Sequence, residues 1–228
     1  MQAPNTGLVF STDSRDKEFV FSKVSRDIPP ITEKMWWDNG WWGNQGNTPH
    51  CCAYAWTHFM EDGPVVQDVI VNRPVPLFKP DAFFDACKKI DGLPSTSKGT
   101  TIRAGAKIAK EIGLISEYRW AESVNDVVEA LLVFGPVIAG LMWYQDMDAP
   151  KNGLMRATGP VNGGHAFIIN GVDTVKEQVR IKNSYGKSWG KGGYGYLPFK
   201  ELEKLMKEAG LGSVVIPFES KLSIIPTL

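Results

Sequence analysis

Gln45-Gly46-Asn47-Thr48-Pro49-His50-Cys51-Cys52-Ala53-Tyr54 closes a loop rich in glycine and tryptophan and opens a helical pattern at Cys51. From there Ala53, Tyr54, Trp56, His58 and Phe59 place apolar or aromatic groups on nearly every face, the pattern of a helix buried between two layers. Gly63-Pro64 ends it, because glycine closes helices without a Cβ penalty and proline cannot continue one. Upstream, residues 1–35 are polar and broken by Pro29-Pro30, so they read as an extended lead-in. Downstream, residues 64–79 mix prolines with valine and isoleucine and predict a loop with one short strand. Pro80 suits a first helical position, giving a helix to about Ile90. A second helix is expected over Thr101–Ile112, ending at Gly113. A third begins at the capping-box-like Ser123-Val124-Asn125-Asp126 and ends at Gly135-Pro136.

The pattern then changes to strands separated by glycine-rich turns, expected over Pro136–Trp143, Gly164–Val172, Gln178–Lys182 and Gly193–Leu197. Phe199–Ala209 returns to an amphipathic helix whose charges form a solvated face. A helical first half followed by a sheet-rich second half predicts an α+β fold of two lobes with a cleft between them. The expected division is an N-terminal extension over 1–27 and a domain over 28–228. Within that domain the helical lobe spans about 45–125 and the β lobe about 126–228.

The 228 residues are long enough to bury a substantial core, and 43% hydrophobic with 22% charged residues is ordinary for a globular chain. Lysine plus arginine equals aspartate plus glutamate at 25 each, which gives no electrostatic footing for nucleic acid or an anionic membrane. Apolar runs such as Ala130–Phe134 are far too short to span a bilayer. The first residues lack a basic start followed by an apolar block, so no signal peptide is read and a cytoplasmic location is expected. Three cysteines, Cys51, Cys52 and Cys87, argue against a disulfide framework and for a reducing compartment. Of eight tryptophans, Trp36, Trp37, Trp41 and Trp42 cluster in one stretch, which reads as packing rather than ligand stacking.

Three segments carry chemistry. A cysteine in the first turn of a buried helix meets unpaired N–H groups and the positive end of the macrodipole, both of which stabilise the nucleophilic thiolate. Gln45, six residues earlier, can offer an amide N–H to a developing oxyanion. In Gly163-Gly164-His165-Ala166-Phe167-Ile168-Ile169 a lone histidine begins an apolar strand beside open space. In Ile181-Lys182-Asn183-Ser184-Tyr185-Gly186-Lys187-Ser188-Trp189-Gly190 an asparagine between a strand and a glycine-rich turn can fix one imidazole tautomer.

Taken together and in this order, these segments resemble the signature regions of the papain-like cysteine peptidases, as a short, bacterial-type member. The resemblance runs from about residue 28 to 200. It implies Cys51 as nucleophile, His165 as base and acid, Asn183 as the group orienting His165, and Gln45 in the oxyanion hole with the Cys51 N–H. It implies hydrolysis of protein or peptide substrates through an acyl-enzyme, with no cofactor or metal, and leaves room for an inhibitor or regulatory partner. The cleft wall would include Gly99, Thr100, Ile102, Gly140, Gly163, Gly164 and Ala166, with Trp189 near the asparagine. The small residues among these predict a wide apolar pocket favouring Leu, Phe or Tyr. Four features depart from the family pattern. Cys52 stands where tryptophan usually follows the nucleophile, Tyr185 where tryptophan commonly follows Asn-Ser, and Thr48 where a disulfide cysteine is frequent. The interval from Cys51 to His165 is also shorter than the ~130–150 residues usual for papain and cathepsins.

Each residue also has a plain reading. Cys51 or His165 alone would pass for an inert buried thiol or a satisfied core histidine, and the glycines for turn residues. A zinc site from His50, Cys51, Cys52 and His58 lacks the spaced cysteine pairs that such sites use. An acyl transferase or ligase on the same fold, or a silent binding module, stand as alternatives to peptidase action.

Overall fold

The computed structural model describes residues 6–23, 33–38, 40–63 and 79–219. Its helices are α1 (Cys51–Asp62), α2 (Pro80–Ile90), α3 (Ile102–Glu111), α4 (Val124–Val133) and α5 (Phe199–Ala209). Its strands are β1 (Lys34–Trp36), β2 (Ile115–Trp120), β3 (Val137–Tyr144), β4 (Val161–Asp173), β5 (Gln178–Lys182), β6 (Tyr194–Pro198) and β7 (Val214–Glu219). The strands form one antiparallel sheet in the order β2-β7-β3-β4-β5-β6, with β1 also paired to β4.

Local chemistry accounts for the helix starts. Ser123 and Asp126 exchange the two hydrogen bonds of a capping box at α4, and the Thr101 hydroxyl accepts from the Ala104 N–H at α3. Pro80 opens α2 as expected, and Gly63 follows α1 with an extended backbone. Along β3, Val137, Ala139, Leu141 and Trp143 enter the core shared with α4 and α5, whereas Ile138 enters the one shared with α1, α2 and α3. The sheet therefore separates two apolar cores, and this α+β arrangement is the one the sequence predicts. Helix α1 is buried all round, with Trp56 donating to the Ile102 carbonyl at 3.2 Å. An added Cβ on Gly105 would lie 2.1 Å from the Trp56 indole nitrogen, so α3 approaches α1 only because that residue is glycine.

Three strands escaped the sequence reading: β1, within the stretch read as lead-in and tryptophan-rich loop, and β2 and β7. In β2, Ser116, Glu117 and Arg119 interrupt the apolar alternation, and the pairing carries an irregularity between Ile115 and Glu117. In β7, Pro217 reads as a breaker, but it lies beyond the short pairing of Val214 and Val215 with β3, where its missing N–H costs no ladder bond to that strand. The lead-in is also more structured than expected. Residues 14–18 and 21–23 form 3-10 turns, and Phe21 is fully buried against Phe134 and Phe218. The loop and strand expected over 64–79 fall mostly outside the described residues. The tryptophan cluster packs as expected: Trp41 against His58, Trp42 against Tyr194, and Trp37 donating to the Leu131 carbonyl.

Candidate active site

Cys51 is the first residue of α1, at the positive end of the helix dipole, and His50 before it gives no side-chain cap. His50 is engaged elsewhere, 2.8 Å from Asp81 and stacked on Phe84 of α2. His165 reaches the thiol from β4, and Asn183 lies just beyond β5. The Asn183 Oδ1 accepts the Ser184 N–H at 2.8 Å and lies 2.9 Å from His165 Nε2. A carbonyl oxygen only accepts, so Nε2 carries a hydrogen and Nδ1 is left to work with Cys51. Trp143 and Tyr185 flank the imidazole, with ring centroids 4.6 and 4.8 Å away.

Burial alone would raise the Cys51 thiol. Hydrogen bonds from Cys52 and His165, the His165 charge and the Ala166 N–H outweigh it and hold Cys51 well below the ordinary thiol range. Burial and the Cys51 charge push Cys52 the other way, and its single S–H has two acceptors in reach, Cys51 and the Thr100 carbonyl at 3.3 Å. The surroundings thus favour the ionised form of Cys51 and the protonated form of its neighbour Cys52.

Gln45 joins the same constellation through Ser184, a residue that the sequence reading did not single out. The Ser184 hydroxyl donates to Gln45 Oε1 at 2.6 Å, and the Gln45 N–H donates to the Ser184 carbonyl at 2.8 Å. The Gln45 amide donates in turn to Thr48 O at 2.8 Å. Ser184 therefore ties the loop before the nucleophile to the loop that holds the histidine. The signal was present in sequence only as the residue after Asn183. Trp189 packs on Trp143 and Tyr185 and donates to the Met147 carbonyl at 3.0 Å.

The cleft is filled by the chain itself. Residues 6–10 run along it as a strap. The Leu8 N–H donates to Gly164 O at 3.1 Å, the Val9 N–H to Thr100 O at 2.9 Å, and the Thr100 N–H to Gly7 O at 3.1 Å, in parallel pairing with Thr100. The Thr6 hydroxyl donates to Asn162 O at 3.2 Å. An added Cβ on Gly140 would lie 3.0 Å from the Leu8 methyls and 3.2 Å from Ile102, and one on Gly164 would meet the Leu8 carbonyl at 3.0 Å. At Gly99 and Gly163 it would collide with Gly7 and Thr6. Ala166 shares a buried cluster with Leu8 and Cys51. The expected cleft-wall residues, Trp189 apart, thus line the path of this strap, and beneath it Cys51 and His165 are both 0% exposed. The strap is held at its far end by Asp16, which meets Arg103 through two bonds of 2.6 Å while Arg103 also reaches the Ser11 carbonyl.

No family model matches the chain. Among curated proteins it is 28% identical over 156 residues to a cathepsin B-like cysteine proteinase 2 of Haemonchus contortus, covering 61% of this chain and 45% of that protein. It is 34% identical over 82 residues to a cathepsin B-like cysteine proteinase 3 of Ostertagia ostertagi, covering 35% and 47%. The chain spans about half the length of these relatives. Among solved structures it superposes on xylellain, a cysteine protease from Xylella fastidiosa, with a TM-score of 0.74 at 16% identity, covering 97% of this chain and 99% of that one. It superposes on procathepsin L 3 of Tenebrio molitor larval midgut with a TM-score of 0.66 at 13% identity, covering 93% and 83%. The fold is that of the papain-like cysteine proteases. The resemblance carried by the three motifs is borne out by these relatives.

Among the described residues, no helix is long and apolar enough to cross a membrane, and no three His, Cys, Asp or Glu side chains are grouped to hold a metal.

Proposed function

We propose that this chain is a cysteine peptidase that cleaves peptide bonds through a Cys51 thiolate. The observation that carries this reading is the hydrogen-bonded series Cys51–His165–Asn183, whose contacts favour ionisation of the thiol. The thiolate attacks the peptide carbonyl and the Cys51 N–H, with Gln45, stabilises the oxyanion. His165 gives its Nδ1 proton to the leaving amine and then accepts one from water, which releases the acyl-enzyme. Asn183 keeps the ring in one tautomer throughout.

In the described conformation the strap stands where substrate would lie, so substrate must displace residues 6–10. The solved relatives include a procathepsin and a pollen protease in its proform, in keeping with a closed state of this kind. The Leu8 side chain against Gly140 and Ile102 supports an apolar substrate side chain at that point, with leucine well accommodated. A silent binding module would have no need of a depressed thiol beside an oriented imidazole.

Intact-mass measurement after treatment with an epoxysuccinyl peptide, on the full chain and on its Leu8→Asp form, tests the reading. One adduct on Cys51, faster in the Leu8 variant, is expected. Labelling of Cys52 with Cys51 untouched, or no labelling of either form, overturns it.

A further inference from the structure

Tyr185 stands where a tryptophan commonly follows the Asn-Ser pair, and its hydroxyl lies 3.3 Å from His165 Nδ1. That is the nitrogen which must take the Cys51 proton, because Nε2 is committed to Asn183 Oδ1 in either charge state. The assignment of that amide is fixed by its second bond: Oδ1 accepts the Ser184 N–H, which the amide nitrogen cannot do. Two hydrogen-bonding groups, the Cys51 sulfur and the Tyr185 oxygen, therefore share one imidazole nitrogen.

We infer that the Tyr185 hydroxyl is a positioning group that restrains ionisation of the Cys51–His165 pair by donating to Nδ1 whenever that nitrogen is unprotonated. The inference deepens the peptidase reading above and rests on it. When the pair is neutral, the Tyr185 O–H has a lone pair to meet at Nδ1. When the thiol proton moves to Nδ1, the new N–H turns to the thiolate, the stronger acceptor because it is charged. The phenolic proton then loses its partner in a largely buried place, a loss that opposes the transfer. The phenol cannot escape by ionising: burial, the Cys51 charge and Asp148 push it well above the ordinary tyrosine range, so it remains a donor.

The other groups facing the pair do not take over this role. From α1, Cys52 offers its one S–H to Cys51 or to Thr100 O, not to His165. From β4, the Ala166 N–H points to the Cys51 sulfur. Asp148, after β3, accepts from the Trp143 indole at 2.7 Å and from Asn162 at 2.8 Å. Trp143 packs against His165 in a T-shaped arrangement, and its own N–H is spent on Asp148.

The test is the ultraviolet absorbance of the thiolate followed against pH in the full chain, with Cys51→Ala as the blank. This reads the pair directly, whether or not the strap admits a reagent. In Tyr185→Phe the Cys51 midpoint falls by about one pH unit, a tenfold gain in thiolate fraction below the midpoint, with thermal stability retained. Tyr185→Met, which removes ring and hydroxyl together, gives a fall of the same sense. A midpoint in Tyr185→Phe that stays put or rises overturns the inference, and so does a shift confined to Tyr185→Met, which would assign the effect to the ring. A wild-type chain with no thiolate below the ordinary thiol range that Cys51→Ala removes sinks the peptidase reading itself, a distinct outcome.

Discussion

Lys182 meets Asp62 at 2.8 Å with both side chains wholly shielded from solvent, joining the last turn of α1 to the residue just before Asn183. Asp38 takes a further bond from the same ammonium at 3.0 Å. Removing one partner of a buried pair leaves the other charge uncompensated. Lys182→Met should therefore cost about 3–5 kcal/mol of stability, and Lys182→Met with Asp62→Leu should recover much of it. Chemical denaturation of the three proteins checks this; equal stabilities would show that the pair is not coupled.

Removal of the proposed nucleophile, base and orienting residue should have graded effects. Cys51→Ala abolishes both inhibitor labelling and hydrolysis of a peptide substrate while the fold persists. His165→Ala leaves almost no turnover, whereas Asn183→Ala keeps a remainder after a loss of roughly 10²–10⁴-fold, since it disturbs tautomer and angle rather than removing the proton acceptor. Initial rates on one substrate, alongside circular dichroism spectra, decide it. Full activity in His165→Ala would dissolve the proposed pair.

Weakening the strap should uncover the site. Leu8 is an almost fully buried leucine, worth about 1.5–3 kcal/mol of burial. Leu8→Asp places a carboxylate among Gly140, Ile102 and Gly164 instead, and each ~1.4 kcal/mol lost from the closed state raises the open fraction roughly tenfold. The labelling rate of Cys51 at subsaturating reagent should rise by at least about tenfold. An unchanged rate would mean that residues 6–10 do not limit access.

The pH dependence follows from the sign of each shift. The folded Cys51 thiol is depressed, so the unfolded chain binds more protons between the folded value and the ordinary thiol value, and stability rises with pH across that window. This contribution is complete above the unfolded value of 9.0 and is lost as pH falls through the folded one. The stability difference between wild type and Cys51→Ala should therefore grow with pH in that range. Cys87 has the opposite sign: burial pushes it up to about 12, so its effect is to lower stability as pH rises from 9.0 toward 12. Thermal melts at stepped pH check both, and a flat wild-type minus Cys51→Ala difference contradicts the first.

Cys51, His165 and Asn183 were legible in sequence because their immediate neighbours repeat a known pattern and because helix starts and apolar strands have local signatures. Helices α2 to α5 were legible for the same reason, through Pro80, Thr101, Ser123 and the amphipathic 199–209 segment. Pairing over long separations was not. Nothing adjacent to Leu8 announces Thr100 or Gly164 as its partners, and a polar stretch holding Thr6, Ser11 and Asp13 reads as solvated until Arg103 is brought to Asp16 by the fold. Ser184 was invisible as a bridge because its two partners, Asn183 and Gln45, belong to loops that only the tertiary structure unites. Strands β2 and β7 were missed because neither makes sense without the other: polar Ser116 and Glu117 and the breaker Pro217 become a ladder only when paired.

The Leu8 strap belongs to the same molecule as the cleft it fills, so dilution cannot remove it and its local concentration is set by chain geometry. A peptide competing for the cleft sees only the fraction of molecules whose strap is lifted, and its measured affinity is weakened by that fraction whatever its own sequence. Specific activity should therefore be independent of enzyme concentration, while the concentration of substrate needed for half-maximal rate carries a common multiplier for every peptide tested. Selectivity ratios between substrates remain those of the open cleft, and the strap sets only the scale on which they are read.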